Sequence, residues 1–121
     1  MKFLSGLFAR ANAAGAAAPR EIDAATAREW HQRGECLLID VREDAEHRAM
    51  RIPGARLAPL SRLEQAVPPL PEGKKVVFLC QSGARTRMHA RRLAKCAGVE
   101  AHVMSGGIGA WRASGFPIER G

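Results

Sequence analysis

Tyrosine is absent from this 121-residue chain, and four Phe with two Trp hold the aromatic content to 5%. Without aromatic groups interleaved among basic ones there is no stacking platform for a nucleic acid, and the sequence argues against such a partner. Cysteine is scarce too: Cys36, Cys80 and Cys96 are odd in number and far apart. They form no C-x-x-C pair and no metal-spaced set with His31, His47, His89 or His102. A zinc site and a disulfide scaffold are therefore disfavoured, no metal or cofactor is expected, and a reducing, cytoplasmic compartment is the natural setting. No apolar run approaches the roughly 20 residues that cross a bilayer. The length leaves room for one core, which removes two-domain readings.

Acid is short as well. Twelve Asp and Glu face 19 Lys and Arg, a formal net charge of +7. Such an excess suits nucleic acid, an anionic membrane surface or a small anion, and its distribution narrows the choice. The first 60 residues carry nine basic and eight acidic side chains, whereas the rest carry ten and four. Arg85, Arg87, Arg91, Arg92 and Lys95 fall within one stretch that contains no acid. Apart from this the composition, 46% hydrophobic and 26% charged, is that of an ordinary globular domain.

Residues 1–19 are alanine-rich and read as a flexible or amphipathic extension; residues 20–121 read as a single domain. As a secretion signal the extension is poor, since its apolar stretch is short, is broken by Gly6 and is followed at once by Arg10. On a helix, Phe3, Leu4, Leu7, Phe8 and Ala11 share one face opposite Lys2, Ser5 and Arg10, so residues 3–11 offer a weak membrane-surface contact. A frayed terminus is the alternative. Beyond Arg20, helix and strand signals alternate. Asp23 caps a helix over 24–33 that Gly34 ends, and Cys36–Val41 is an apolar run too short for a helix. A helix over 43–50 precedes the turn Ile52-Pro53-Gly54 and a brief strand near 55–58. Ser61 and Glu64 have the spacing of a capping box for a helix over 62–67. Then come a strand at 75–79, a helix over 86–97 stopped by Gly98, a strand over 99–104 and a helix over 108–113. Strands separated by helices imply a mostly parallel sheet covered on both faces, with ligands at the C-terminal strand edge. Asp40, Arg42 and Cys80 belong on that edge.

Between the strand KVVFL and the basic stretch stands Cys80-Gln81-Ser82-Gly83-Ala84-Arg85-Thr86. A strand-to-helix loop of this kind can turn successive amides toward one point and form an anion-binding nest at a helix start. A cysteine opening it has its thiolate favoured, Gly83 permits the tight curl, and Arg85 adds a positive charge. The expectation is a nucleophile active near neutral pH. A buried structural cysteine is the plain alternative. His89 sits one turn into the helix, but an ionised thiol needs no base.

From about residue 20 to 120 the chain resembles the rhodanese family of sulfurtransferases. The matching blocks, in order, are Asp40-Val41-Arg42 with Glu46, Ile52-Pro53-Gly54-Ala55, the loop from Cys80 to Thr86, Gly106-Gly107, and Trp111 with Gly115 and Pro117. The segment from Leu57 to Gln65 and the loop look closest to the cytosolic domain of bacterial inner-membrane rhodaneses. His47, and Met50-Arg51 before Ile52, depart from the family's pattern. The resemblance implies an α/β, rhodanese-like three-layer fold with about five mostly parallel strands and helices on both faces. It implies that Cys80 takes sulfane sulfur from a small anionic donor such as thiosulfate and passes it, through a persulfide, to cyanide or a thiol. By the same resemblance Gln81, Ser82, Gly83, Ala84, Arg85 and Thr86 form the cradle, while Asp40 and Arg42 support it. Arg87, with Arg85, is expected at its mouth.

Related phosphatases and arsenate reductases carry their arginine six positions after the cysteine, where this chain has Thr86. Sulfur transfer is thus favoured over oxyanion chemistry, and a non-catalytic persulfide-sensing or binding module is the other alternative. Cys36 and Cys96 are expected too far from Cys80 to bridge it. Arg91, Arg92 and Lys95 are expected merely to suit a helix C-terminus.

Overall fold

Alternating apolar and helical segments bury one sheet between two helical layers in the computed structural model, which describes residues 19–121. The amphipathic reading of residues 3–11, and the membrane-surface contact tied to it, lie outside the described residues. Strands β1 (Arg20–Ile22), β2 (Cys36–Asp40), β4 (Arg56–Leu57), β5 (Lys75–Leu79) and β6 (Ala101–Met104) form a parallel sheet in the order β1-β6-β5-β2-β4. A short antiparallel pair, β3 (Met50–Arg51) with β7 (Glu119–Arg120), closes the C-terminal tail against the body. Helices α1 (Ala24–Gln32) and α6 (Gly107–Ala113) pack Ala24, Ala27, Ile108 and Trp111 on one face, against Leu38, Val77 and Leu79. The other face receives Leu63 from α3 (Leu63–Ala66) and Leu93 and Ala97 from α5 (Ala90–Ala97), against Ile39, Val76 and Phe78. The alternation along β5, with Val77 and Leu79 to one side and Val76 and Phe78 to the other, explains why KVVFL reads as unbroken apolar sequence. Among the described residues no helix is long and apolar enough to cross a membrane.

Three expectations change. The helix expected over 86–97 is two helices, α4 (Ala84–Met88) and α5, because His89 leaves the helical conformation at φ −107° and ψ 21°. The two helices differ in what they serve: α4 starts on the loop after Cys80, while α5 packs Leu93 and Ala97 on the sheet. The Ser61-Glu64 capping box does not form either. Leu60–Arg62 is a 3₁₀ turn, and Ser61 instead donates its hydroxyl to Glu43 Oε1 at 2.6 Å and its amide to Glu43 Oε2 at 3.2 Å. The residue three places on that reaches back to an N-cap amide is Glu46, on the Glu43 amide at 3.0 Å, at the start of α2 (Asp44–Ala49). Finally, the fifth strand, unlocated from the sequence, is Arg-Glu-Ile of β1, which exists by pairing with β6.

At the C-terminal end of β2 the chain buries a full ion pair. Asp40 and Arg42 are 0% and 1% exposed. Asp40 accepts from the Arg42 amide at 3.0 Å, from Nε at 3.0 Å and from Nη2 at 2.8 Å. Arg42 spends its remaining donors on the Met50 carbonyl at 2.6 Å and on Gln81 Oε1 at 3.3 Å. The pair thus ties β2, the segment before the Ile52-Pro53-Gly54 turn and the loop after β5 together in a dry setting. Removing one partner strands a buried charge, so Asp40→Ala is expected to lower the unfolding free energy by about 3–5 kcal/mol. The double replacement Asp40→Leu with Arg42→Leu is expected to cost less than Asp40→Ala alone; urea denaturation of both variants checks this.

Candidate active site

The Val41 amide bonds the Leu79 carbonyl at 2.9 Å, so the ends of β2 and β5 stand side by side and Cys80 emerges beside Asp40 and Arg42. The path of the chain beyond Cys80 is governed by α6. The first turn of that helix donates the Ile108 amide to the Cys80 carbonyl at 2.8 Å and the Gly109 amide to the Gln81 carbonyl at 3.1 Å. With those carbonyls held outward, the next amides along the loop curl inward over the sulfur. Gly83, at φ +95°, gives its amide to Cys80 Sγ at 3.1 Å. Thr86 Oγ1 lies 3.1 Å from the Gly83 carbonyl and 3.8 Å from Sγ, so its one proton serves the carbonyl or, once the sulfur is ionised, the sulfur. Close approach of α6 requires Gly107: its φ is +59°, and a Cβ there would overlap the Cys80 carbonyl oxygen and stand 2.7 Å from the Gln81 carbonyl carbon.

Cys80 itself is 1% exposed. Burial pushes its thiol up, but the amides of Thr86, Gly83 and Ser82 and the Thr86 hydroxyl outweigh it, and the net displacement is downward. The other two thiols go the opposite way. Burial pushes Cys36 up to about 11 and also raises Cys96. Cys36 pairs with Lys75 at the far end of β5, about 16 Å from Cys80 along the strand.

The charge arrangement differs from the expectation. Arg85 is not a free cation beside the thiol: both of its terminal nitrogens are taken by Glu46, at 2.8 and 2.7 Å. The amides lower the thiol, and Arg85 acts as a strut from α4 to α2. The Arg85 guanidinium in turn holds the Glu46 carboxyl down at about 2. Arg92 is also more than a helix-end charge, since it grips Glu64 at 2.7 Å through two nitrogens and the Leu60 carbonyl at 3.0 Å. Arg87 is mostly exposed, with its Nε 3.5 Å from Glu21 and its Nη2 3.9 Å from where a Gly83 Cβ would lie. Of the remaining cradle residues, Gln81, Ser82 and Ala84 are exposed, and the Ala84 amide reaches Ser82 Oγ at 3.4 Å.

The sequence reading therefore brings Cys80, the Gln81–Thr86 loop, Asp40 and Arg42 together, and it missed two contributors. Glu46, noted only as part of a matching block, is the partner of Arg85. The start of α6, noted only as Gly106-Gly107, is the clamp on the loop. Paired glycines before a helix do signal a close backbone approach, although not what approaches.

The pH midpoint of Cys80 alkylation is expected below that of a free cysteine and is expected to rise in Thr86→Val, read by mass spectrometry of the modified peptide. Gly107→Ala is expected to destabilise the fold by about 1–3 kcal/mol and to slow that alkylation at neutral pH, checked by thermal melting and the same assay. Because Glu46 is depressed in the folded protein, its contribution to stability is full above the ordinary value of 4.5 and is lost as pH falls toward about 2. A Glu46→Gln variant is expected to flatten that part of the acid-unfolding curve.

Comparison with known proteins identifies the fold and the family. Residues 23–114 match the Rhodanese-like domain. A sulfurtransferase of Allochromatium vinosum is 32% identical over 84 residues, covering 69% of this chain and 78% of that one. An uncharacterized Synechocystis protein is 38% identical over 93 residues; the match covers 76% of this chain but only 51% of the relative. The solved structure of a thiosulfate sulfurtransferase from Pseudomonas aeruginosa superposes with a TM-score of 0.75 at 28% identity, covering 87% of this chain and 20% of that one. By sequence and by fold, the chain belongs to the rhodanese-like domain family.

Proposed function

We propose that this domain transfers sulfane sulfur through a persulfide on Cys80. The observation that carries the reading is the Gly83 amide 3.1 Å from a buried sulfur whose thiol is lowered despite its burial. In the first step the Cys80 thiolate attacks the outer sulfur of a donor such as thiosulfate. The donor's S–S bond breaks and sulfite departs with the electron pair. The resulting Cys80–S–S⁻ occupies the focus of the Ser82, Gly83 and Thr86 amides, which favour its negative charge. In the second step cyanide or an acceptor thiolate attacks the outer sulfur, and the Cys80 thiolate leaves. No base is needed, because both nucleophiles enter ionised.

Several features support sulfur over phosphorus. Thr86 occupies the sixth position after the cysteine with its hydroxyl turned to the Gly83 carbonyl, and Arg85 is engaged with Glu46. The cradle thus meets the sulfur with backbone amides, and its own arginine, Arg85, is withheld from a tetrahedral oxyanion. Asp40 and Arg42 act here as supports, fixing Gln81 and the strand end. With Cys36 remote, the persulfide discharges to an external acceptor, which suits a reducing, cytoplasmic setting.

Intact-mass spectrometry after incubation with thiosulfate is expected to show the gain of one sulfur atom in the wild type and none in Cys80→Ser. Subsequent cyanide is expected to remove the added sulfur as thiocyanate. Equal thiocyanate release by both proteins would refute the reading, and a stable persulfide that no acceptor discharges would make the domain a sensing module.

A further inference from the structure

The basic stretch is not uniformly available. Arg85 is consumed by Glu46 and Arg92 by Glu64, both through two nitrogens. Arg87 keeps a single 3.5 Å contact to Glu21 and has a side chain 65% exposed, while Arg91 is exposed and forms no ion pair among the described residues. Between them, Met88 is 77% exposed, and among the described residues it is the one large apolar side chain left in water. The Arg87 head group sits over Gly83, whose amide holds the sulfur, and Met88 and Arg91 follow it along the chain at the end of α4 and the start of α5.

A small donor or acceptor has no use for most of this strip. Met88 lies five residues past Gly83, about 7 Å along a helical axis, out of contact with a thiol or cyanide seated at the sulfur. An apolar group between one guanidinium held only by a 3.5 Å contact to Glu21 and another with no ion pair among the described residues fits a larger ligand that carries both an apolar side chain and carboxylates. Charge chooses among occupants. Residues 1–18 contain Lys2 and Arg10 and no acid, and a second copy of the chain would bring another net +7; both are repelled. Among the described residues no large aromatic is exposed to stack a base.

We propose that Arg87, Met88 and Arg91 form a docking surface for an acidic protein acceptor that presents its thiol to the Cys80 persulfide. This rests on the sulfur-transfer reading. The chemistry is the discharge step of that transfer: the acceptor thiolate bonds to the outer sulfur, the Cys80–S bond breaks, and the new persulfide stays on the partner.

The test uses the full chain preloaded with thiosulfate and two short synthetic peptides, each with one central cysteine and one leucine, flanked in one by aspartates and glutamates and in the other by lysines. Discharge of the persulfide is followed by intact mass. The acidic peptide is expected to react about tenfold faster, with the advantage shrinking as salt rises. Met88→Ser is expected to slow the acidic peptide several-fold, and Arg91→Glu to reduce its advantage while speeding the lysine peptide, with cyanide discharge unchanged in both variants. Equal rates for the two peptides at low salt, or an acidic preference undiminished in Arg91→Glu, would overturn the docking proposal. So would a single-stranded oligonucleotide that blocks the acidic peptide at a lower concentration than a non-thiol acidic peptide does. Failure to load or to discharge to cyanide would instead overturn the underlying sulfur-transfer reading.

Discussion

The constraint on which the site depends is the direction of two carbonyl groups. A buried sulfur is hostile to charge, and burial by itself drives the Cys36 thiol up to about 11. Cys80 is equally enclosed, yet its thiol is lowered, because the Ser82, Gly83 and Thr86 amides turn toward it. They can do so only while the Cys80 and Gln81 carbonyls face the other way, and the Ile108 and Gly109 amides hold them there. One helix start therefore satisfies its own free N–H groups by orienting a loop that serves a different helix. This is why Gly107 cannot carry a side chain and why the last helix in the chain belongs to the chemistry of the middle.

Charge plays a second, separate role. The amides supply the local field at the sulfur, which leaves the arginines free for structural work. Arg42 is buried with Asp40 and reaches Gln81; Arg85 braces α4 against Glu46; Arg92 ties α5 to Glu64 and Leu60. The basic stretch after the cradle thus separates into Arg85 and Arg92, which join elements, and Arg87, Arg91 and Lys95, which remain in solvent. A count of basic residues cannot make that division, since it depends on carboxylates that lie 28 to 39 positions away in sequence.

Much of the fold was legible for a simple reason: β2 and β5 are buried on both faces and so appear as short unbroken apolar runs. The loop was legible because its glycine, its arginine and its place after a strand are local features. What escaped were elements fixed by partners. β1 carries one half-buried apolar residue and exists through β6. Ser61 has the spacing of a helix cap, but Glu43 from across the fold takes its hydroxyl and amide. His89 interrupts a helix that no glycine or proline marks. The same non-locality hid Glu46, whose pairing with Arg85 moved the cause of the lowered thiol from a side-chain charge to the backbone.

If the backbone governs the sulfur, its amides must report the ionisation directly. Proton–nitrogen NMR of the ¹⁵N-labelled protein, followed through a pH titration, reads Gly83, Ser82 and Thr86 individually. The account predicts that all three amide signals move together with one inflection below the ordinary thiol value, and that the inflection vanishes in Cys80→Ser. Amides that stay still through the titration, or inflect at or above the ordinary value, would contradict it.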